Sequence, residues 1–137
     1  MLPITHSEDE TIKLGEQIGK ELDRPLVLAV RGELGAGKTF FVKGIAKGLN
    51  VEVEITSPTF LIVKTYPGRM LLHHIDLYRI FSINEIPFIE EYLYSEGICA
   101  VEWPERIEEI LPENRIEVKI SIVDEHSRKI EIDDYRN

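Results

Sequence analysis

The chain has 137 residues, a formal net charge of −9, 43% hydrophobic residues and one cysteine, Cys99. That length suits one domain, expected to span residues 1–137 and to bury about two-thirds of its unfolded surface. The acidic balance, with a pI of about 4.9 and no Lys/Arg stripe, argues against direct nucleic-acid binding, because nonspecific affinity comes from neutralising phosphates. A lone cysteine excludes an internal disulfide, no apolar stretch approaches the ~18 residues of a membrane span, and Met1-Leu2-Pro3-Ile4 does not read as a secretory signal. A cytoplasmic protein is expected.

Ser7-Glu8-Asp9-Glu10 has the form of a capping box, with Ser7 as N-cap and Glu10 three residues later. Leu14, Ile18 and Leu22 follow at helical spacing, with Asp9/Lys13 and Glu16/Lys20 as i,i+4 pairs on the wet side, and Arg24-Pro25 ends the helix. Leu26-Val27-Leu28-Ala29-Val30 is a continuous apolar run, which predicts a strand covered on both faces.

Gly32-Glu33-Leu34-Gly35-Ala36-Gly37-Lys38-Thr39 comes next and fits G-x-x-x-x-G-K-[ST], the loop that holds the phosphates of ATP or GTP. Glycines let the backbone turn tightly and aim consecutive N–H groups at phosphate oxygens. The lysine adds a positive charge for the outer phosphates, and the threonine hydroxyl can ligate Mg²⁺. Phe41, Ile45 and Leu49, four residues apart, predict the following helix, whose positive dipole end faces the same anion.

Thr56-Ser57-Pro58-Thr59-Phe60 is a polar break whose hydroxyls suit either a γ-phosphate sensor or an ordinary turn. A β-rich stretch over 61–66 follows, and Tyr66-Pro67-Gly68-Arg69 has Pro and Gly where a type II turn wants them. That turn predicts an antiparallel partner strand over 70–76. Residues 82–94 read as helical, with Pro87 marking a start or a kink. Ile98-Cys99-Ala100-Val101 is a second buried-strand run, and Pro104 opens a short helix reaching Leu111. Ile116, Val118, Ile120 and Ile122 alternate with polar residues, and Ile130 and Ile132 do so again after a polar turn at 124–127. The fold class is therefore α/β, with parallel central strands, antiparallel additions and flanking helices.

Hydrolysis needs a metal-holding carboxylate and a group that places the attacking water. Asp76 and Glu102 both end β-like runs, where ligands gather in open α/β sheets, although a strand-end carboxylate is more often merely solvated. His73 and His74 are adjacent on a strand and point to opposite faces, which argues against zinc; Cys99 reads as a core residue. Trp103 is either packing or a contact surface beside Glu102, and Arg79 either neutralises phosphate or pairs with an acid.

The P-loop block, Ser57-Pro58-Thr59-Phe60, His74-Ile75-Asp76-Leu77-Tyr78-Arg79 and Glu102-Trp103-Pro104-Glu105 together resemble, in order and spacing, the TsaE (YjeE) family. These are the bacterial P-loop ATPases of tRNA threonylcarbamoyladenosine (t6A) biosynthesis, and the resemblance covers nearly the whole chain. It implies a P-loop NTPase-like sheet and an ATP-hydrolysing protein that acts with TsaB and TsaD to support multiple turnovers, with tRNA held by those partners. The implied cofactors are ATP and Mg²⁺. Carried over by position, Glu33, Leu34, Gly35, Ala36, Gly37, Lys38, Thr39 and Phe40 would hold the nucleotide, with Thr59 in a switch-like loop and Thr11 in a segment lining the adenine pocket. Thr39 and Glu102 would serve the metal, and Glu102, Asp76 and Lys38 the hydrolysis. Pro87 stands in the region that departs from the family pattern. A small-molecule kinase and a noncatalytic nucleotide-dependent switch are the competing readings; the first shares the P-loop but calls for an acceptor pocket and an arginine-bearing lid, neither of which the sequence shows.

Overall fold

The structure is a computed structural model that describes residues 3–56 and 62–136. A seven-stranded sheet runs through it in the order β1-β7-β6-β2-β5-β4-β3. In chain order its strands are β1 (Ile4–Thr5), β2 (Leu26–Arg31), β3 (Val63–Tyr66), β4 (Leu72–Asp76), β5 (Ile98–Glu102), β6 (Arg115–Ile122) and β7 (Arg128–Asp134). The central four, β4, β5, β2 and β6, are parallel, and β3, β7 and β1 are antiparallel additions.

Alternation along the central strands divides the interior in two. Leu26, Leu28 and Val30 of β2 face one core with Phe41, Val42 and Ile45 of α2 (Lys38–Gly48). Val27 and Ala29 face the other, with Ile86, Ile107, and Ile89 and Leu93 of α3 (Ile89–Leu93). On the first face α1 (Glu8–Glu21) lies against α2 through small residues. A Cβ on Gly15 would meet the Phe41 carbonyl at 2.4 Å and one on Gly44 the Ile12 carbonyl at 2.1 Å, so the backbones approach more closely than any side chain allows. Of the expected stripe of Leu14, Ile18 and Leu22, Leu22 is buried in this core and Leu14 and Ile18 pack partly buried against it.

Several local expectations are corrected. The helix expected over 82–94 is broken: a 3₁₀ turn at Ile83–Glu85, capped by Ser82, precedes the short α3. Pro87 disfavours helical backbone at the residue before it, and Ile86 sits at φ −134°, ψ 59°. The helix after Pro104 is a 3₁₀ segment, Pro104–Ile110, kinked at Ile107. The type II turn at 66–69 does not form, since Gly68 lacks the positive φ it requires. Glycine is needed there because a Cβ would meet the Leu49 carbonyl at 2.5 Å; β4 accordingly starts at Leu72 rather than 70. At the start of α1, Ser7 caps Glu10 as expected, but the Glu10 carboxylate accepts from the His6 amide at 2.9 Å instead of closing the box on Ser7. The strand β1 was not anticipated; two residues carry too little pattern to read. No helix among the described residues is long and apolar enough to cross a membrane.

Candidate functional site

The loop between β2 and α2 turns on Gly35 (φ 83°) and Gly37 (φ 95°), left-handed backbone that a side chain would strain. Gly37 is also the N-cap of α2 and supplies no side-chain acceptor, so the first amides of the helix lack a side-chain cap. Lys38 is only 5% exposed. Its Nζ donates to the Gly32 carbonyl at 2.5 Å and the Glu33 carbonyl at 3.1 Å, and lies 4.2 Å from the centre of the Trp103 ring. Burial pulls the lysine below its ordinary pKa of 10.5, against the opposing fields of Glu102, Glu105, Asp76 and Glu33.

Strand parity places the carboxylates. His74 and Asp76 on β4, and Ala100 and Glu102 on β5, project toward the α2 face, and the register pairs His74 with Ala100 and Asp76 with Glu102. Glu102 is 3% exposed and accepts from the Thr39 hydroxyl at 3.2 and 3.1 Å, one distance to each oxygen. The His74 Nε2 lies 2.5 Å from Glu102 Oε2. Asp76, at the strand end, accepts from the Tyr78 amide at 3.0 Å. His73 points to the opposite face, bonding Thr65 at 2.8 Å and packing edge-on against Tyr92.

Trp103 follows Glu102 with left-handed backbone (φ 61°, ψ 48°), uncommon for a bulky residue and the kind of local strain that collects at working sites. That conformation turns its indole over Lys38 and against the Tyr78 ring, 5.0 Å between centres. Cys99 is a core residue, 1% exposed, its thiol pushed up to about 12 by burial.

These elements enclose a cavity of about 900 Å³, within the range of small-molecule sites. Leu34, Gly35, Ala36, Gly37, Lys38, Thr39 and Phe40 of the loop and α2 line it, together with Asp76, Glu102 and Trp103 and, from the start of α1, Ser7 and Thr11. Thr11 is buried and shares a 2.8 Å hydrogen bond with Thr5. Glu33 does not line the cavity; its side chain is exposed and its carbonyl is what reaches Lys38. Thr59, the expected switch-loop residue, lies outside the described residues.

Two residues escaped the sequence reading. Arg128, at the start of β7, donates Nε to the Ala36 carbonyl at 3.0 Å and Nη2 to the Gly35 carbonyl at 3.2 Å, so the last hairpin braces the phosphate loop. A span of 92 residues separates Arg128 from Ala36, and no local pattern signals the pairing. The sequence shows His74 as a poor zinc ligand and as part of the His74–Arg79 block, without a role of its own; its two-residue offset from Asp76, which puts both on one face of a strand, is the available clue.

Comparison with known proteins adds an independent line. The family model described as "Threonylcarbamoyl adenosine biosynthesis protein TsaE" matches residues 5–130. The chain is 37% identical over 131 residues to the tRNA threonylcarbamoyladenosine biosynthesis protein TsaE of Treponema pallidum, covering 94% of this chain and 97% of that one. It is 42% identical over 134 residues to the protein of that name from Aquifex aeolicus, covering 94% and 92%. The crystal structure of Bacillus subtilis YdiB superposes with a TM-score of 0.81 at 34% identity, over 98% of this chain and 85% of that one. The P-loop sheet, the Thr39–Glu102 pair and these matches agree that the chain belongs to the TsaE family.

Proposed function

We propose that this chain binds ATP with Mg²⁺ and hydrolyses it as the ATPase component of tRNA t6A modification, within one domain spanning residues 1–137. The observation that carries the reading is the Thr39 hydroxyl held 3.1–3.2 Å from both oxygens of a buried carboxylate, at the point where a phosphate loop becomes a helix. Hydroxyl and carboxylate are the hard oxygen donors Mg²⁺ takes, and it commonly uses one or two protein ligands plus phosphates and water. Among the described residues no three His, Cys, Asp or Glu side chains converge as a site for a metal ion, which suits a cation completed by its substrate. When bound, Mg²⁺ neutralises phosphate charge.

The chain's own residues do the rest. The amides of Gly35, Gly37, Lys38 and Thr39 cradle the phosphates, with Leu34, Phe40 and the bond from the Ala36 amide to the Glu33 carbonyl shaping the loop around them. Lys38 exchanges its loop carbonyls for phosphate oxygens; Glu102 and Thr39 hold the cation; Asp76, beside Glu102, orients the attacking water. Thr11 lines the purine end of the cavity, and Thr59 belongs to the loop that senses the terminal phosphate. TsaB and TsaD are the proposed partners, holding the tRNA, and the work is placed in the cytoplasm. The family name of the relatives and the acidic charge of this chain support that division.

The test combines binding with turnover. Lys38→Ala is expected to weaken ATP binding in calorimetric titration. Glu102→Gln is expected to keep its ATP affinity in EDTA but to lose the Mg²⁺-dependent gain and at least ~10-fold in phosphate release, because charge placement carries most of phosphoryl-transfer catalysis. Wild-type affinity in the first variant or wild-type release in the second refutes the assignment. Binding without release from the wild type, with or without TsaB and TsaD, leaves a nucleotide-dependent switch in its place.

A further inference from the structure

We infer that His74 is a positioning residue that, by donating its Nε2 proton to Glu102 Oε2, fixes the carboxylate beside Thr39 and leaves Oε1 as the oxygen that does not bond the imidazole, for a divalent cation. The inference rests on the reading of Glu102 as the metal carboxylate and deepens it.

A glutamate side chain has three rotatable bonds, and an inward-facing one must be fixed by its neighbours before it can serve as a preorganised ligand. Among the described residues Glu102 has two such neighbours, Thr39 and His74. The Thr39 hydroxyl lies almost equally far from both oxygens, 3.2 and 3.1 Å, and does not choose between them. His74 does choose, at 2.5 Å from Oε2 alone. A carboxylate can only accept, so the bond requires the proton on Nε2. The imidazole is itself fully buried, and its Nδ1 is buried with no hydrogen-bond partner among the described residues. Nδ1 is then the lone-pair nitrogen, a lesser cost than a buried N–H with no acceptor, so the environment selects the tautomer that serves Glu102.

The sheet makes this contact possible. The register sets His74 opposite Ala100, two residues before Glu102 on the same face, and a methyl group there leaves room for imidazole and carboxylate to lean together. His74 lies beneath the carboxylate in the sheet and not among the residues lining the cavity, so its influence on a ligand passes through Glu102. Losing a hydrogen-bond partner behind a metal ligand typically costs 10–100-fold in metal affinity or activity.

The experiment compares ATP affinity in excess Mg²⁺ with that in EDTA, by calorimetry, for wild type, His74→Leu, His74→Met and His74→Gln, after thermal melts establish which are folded. Leu and Met fill the site without a donor, whereas the Gln amide nitrogen can stand where Nε2 stands. One folded apolar variant together with His74→Gln suffices. The expected result is EDTA affinity unchanged throughout, the Mg²⁺-dependent gain reduced about 10-fold or more in the folded apolar variant, and most of it restored in His74→Gln. An apolar variant with the wild-type gain overturns the inference, as does a Gln variant that loses as much as the apolar one. Wild type without any Mg²⁺-dependent gain, or Glu102→Gln that keeps it, overturns the metal reading of Glu102 itself, and is distinguished by needing no His74 variant.

Discussion

The residues of the phosphate loop are held from outside the motif that names them. Trp103 lies over Lys38, Glu102 accepts from Thr39, and Arg128 reaches the carbonyls of Gly35 and Ala36 from β7, two strands away from β2. Arg128 also donates to the Asp124 and Ser127 carbonyls at 2.8 and 2.9 Å, so one guanidinium ties loop and hairpin together. With those carbonyls tied to the guanidinium and the Ala36 amide bonded to the Glu33 carbonyl at 3.0 Å, the loop is held in one shape. Arg128→Ala is therefore expected to weaken ATP binding about tenfold, the scale of one charge-assisted hydrogen bond, and titration calorimetry reads it directly. Unchanged affinity would mean that the loop holds its shape without the brace.

At the scale of elements, ion pairs join the strands carrying the loop to those behind them. Arg31, at the end of β2, makes two bonds to Glu117 on β6 (2.6 and 3.1 Å) and one to Glu108 at 2.8 Å, while Arg115 approaches Glu117 at 2.5 Å. Burial pushes the Glu117 carboxyl up, but the two arginines outweigh it and hold it below its ordinary value of 4.5. A depressed folded-state pKa contributes stability that is full above the ordinary value and fades as pH falls through the folded one. Glu117→Gln should thus melt below wild type at neutral pH, with the gap closing on acidification below pH 4.5, as thermal melts across pH will show. A constant gap would assign the loss to packing rather than charge. The α1–α2 contact is the second device at this scale, using glycines to bring Thr11 on α1 alongside the loop that opens α2.

For the molecule as a whole, charge sets the partnership. At net −9 the isolated chain is expected to bind free tRNA negligibly at physiological salt, and fluorescence anisotropy with labelled tRNA checks it. The cavity is open enough that a docking partner can close it and exclude water, so TsaB with TsaD should raise phosphate release above that of the chain alone. Tight binding of free tRNA would reject the charge argument, and release indifferent to the partners would reject the proposed division of labour.

The sequence by itself determined what local chemistry dictates. Gly32-Glu33-Leu34-Gly35-Ala36-Gly37-Lys38-Thr39 demands a phosphate loop because its glycines, lysine and threonine work within one turn of chain, and the runs 26–30 and 98–101 had to be central strands because both their faces are apolar. Strand-end position made Asp76 and Glu102 candidates. Their adjacency was decided only by the parallel pairing of β4 with β5, since register between distant strands is set by how side chains pack and not by either segment alone. His74 behind Glu102, Arg128 beneath the loop and the glycine contact of α1 with α2 belong to the tertiary structure for the same reason. Pro87 shows the boundary between the two: its presence was legible, but whether it would open a helix or break one depended on the second core, where Ile86 and Ile89 are buried from either side of it.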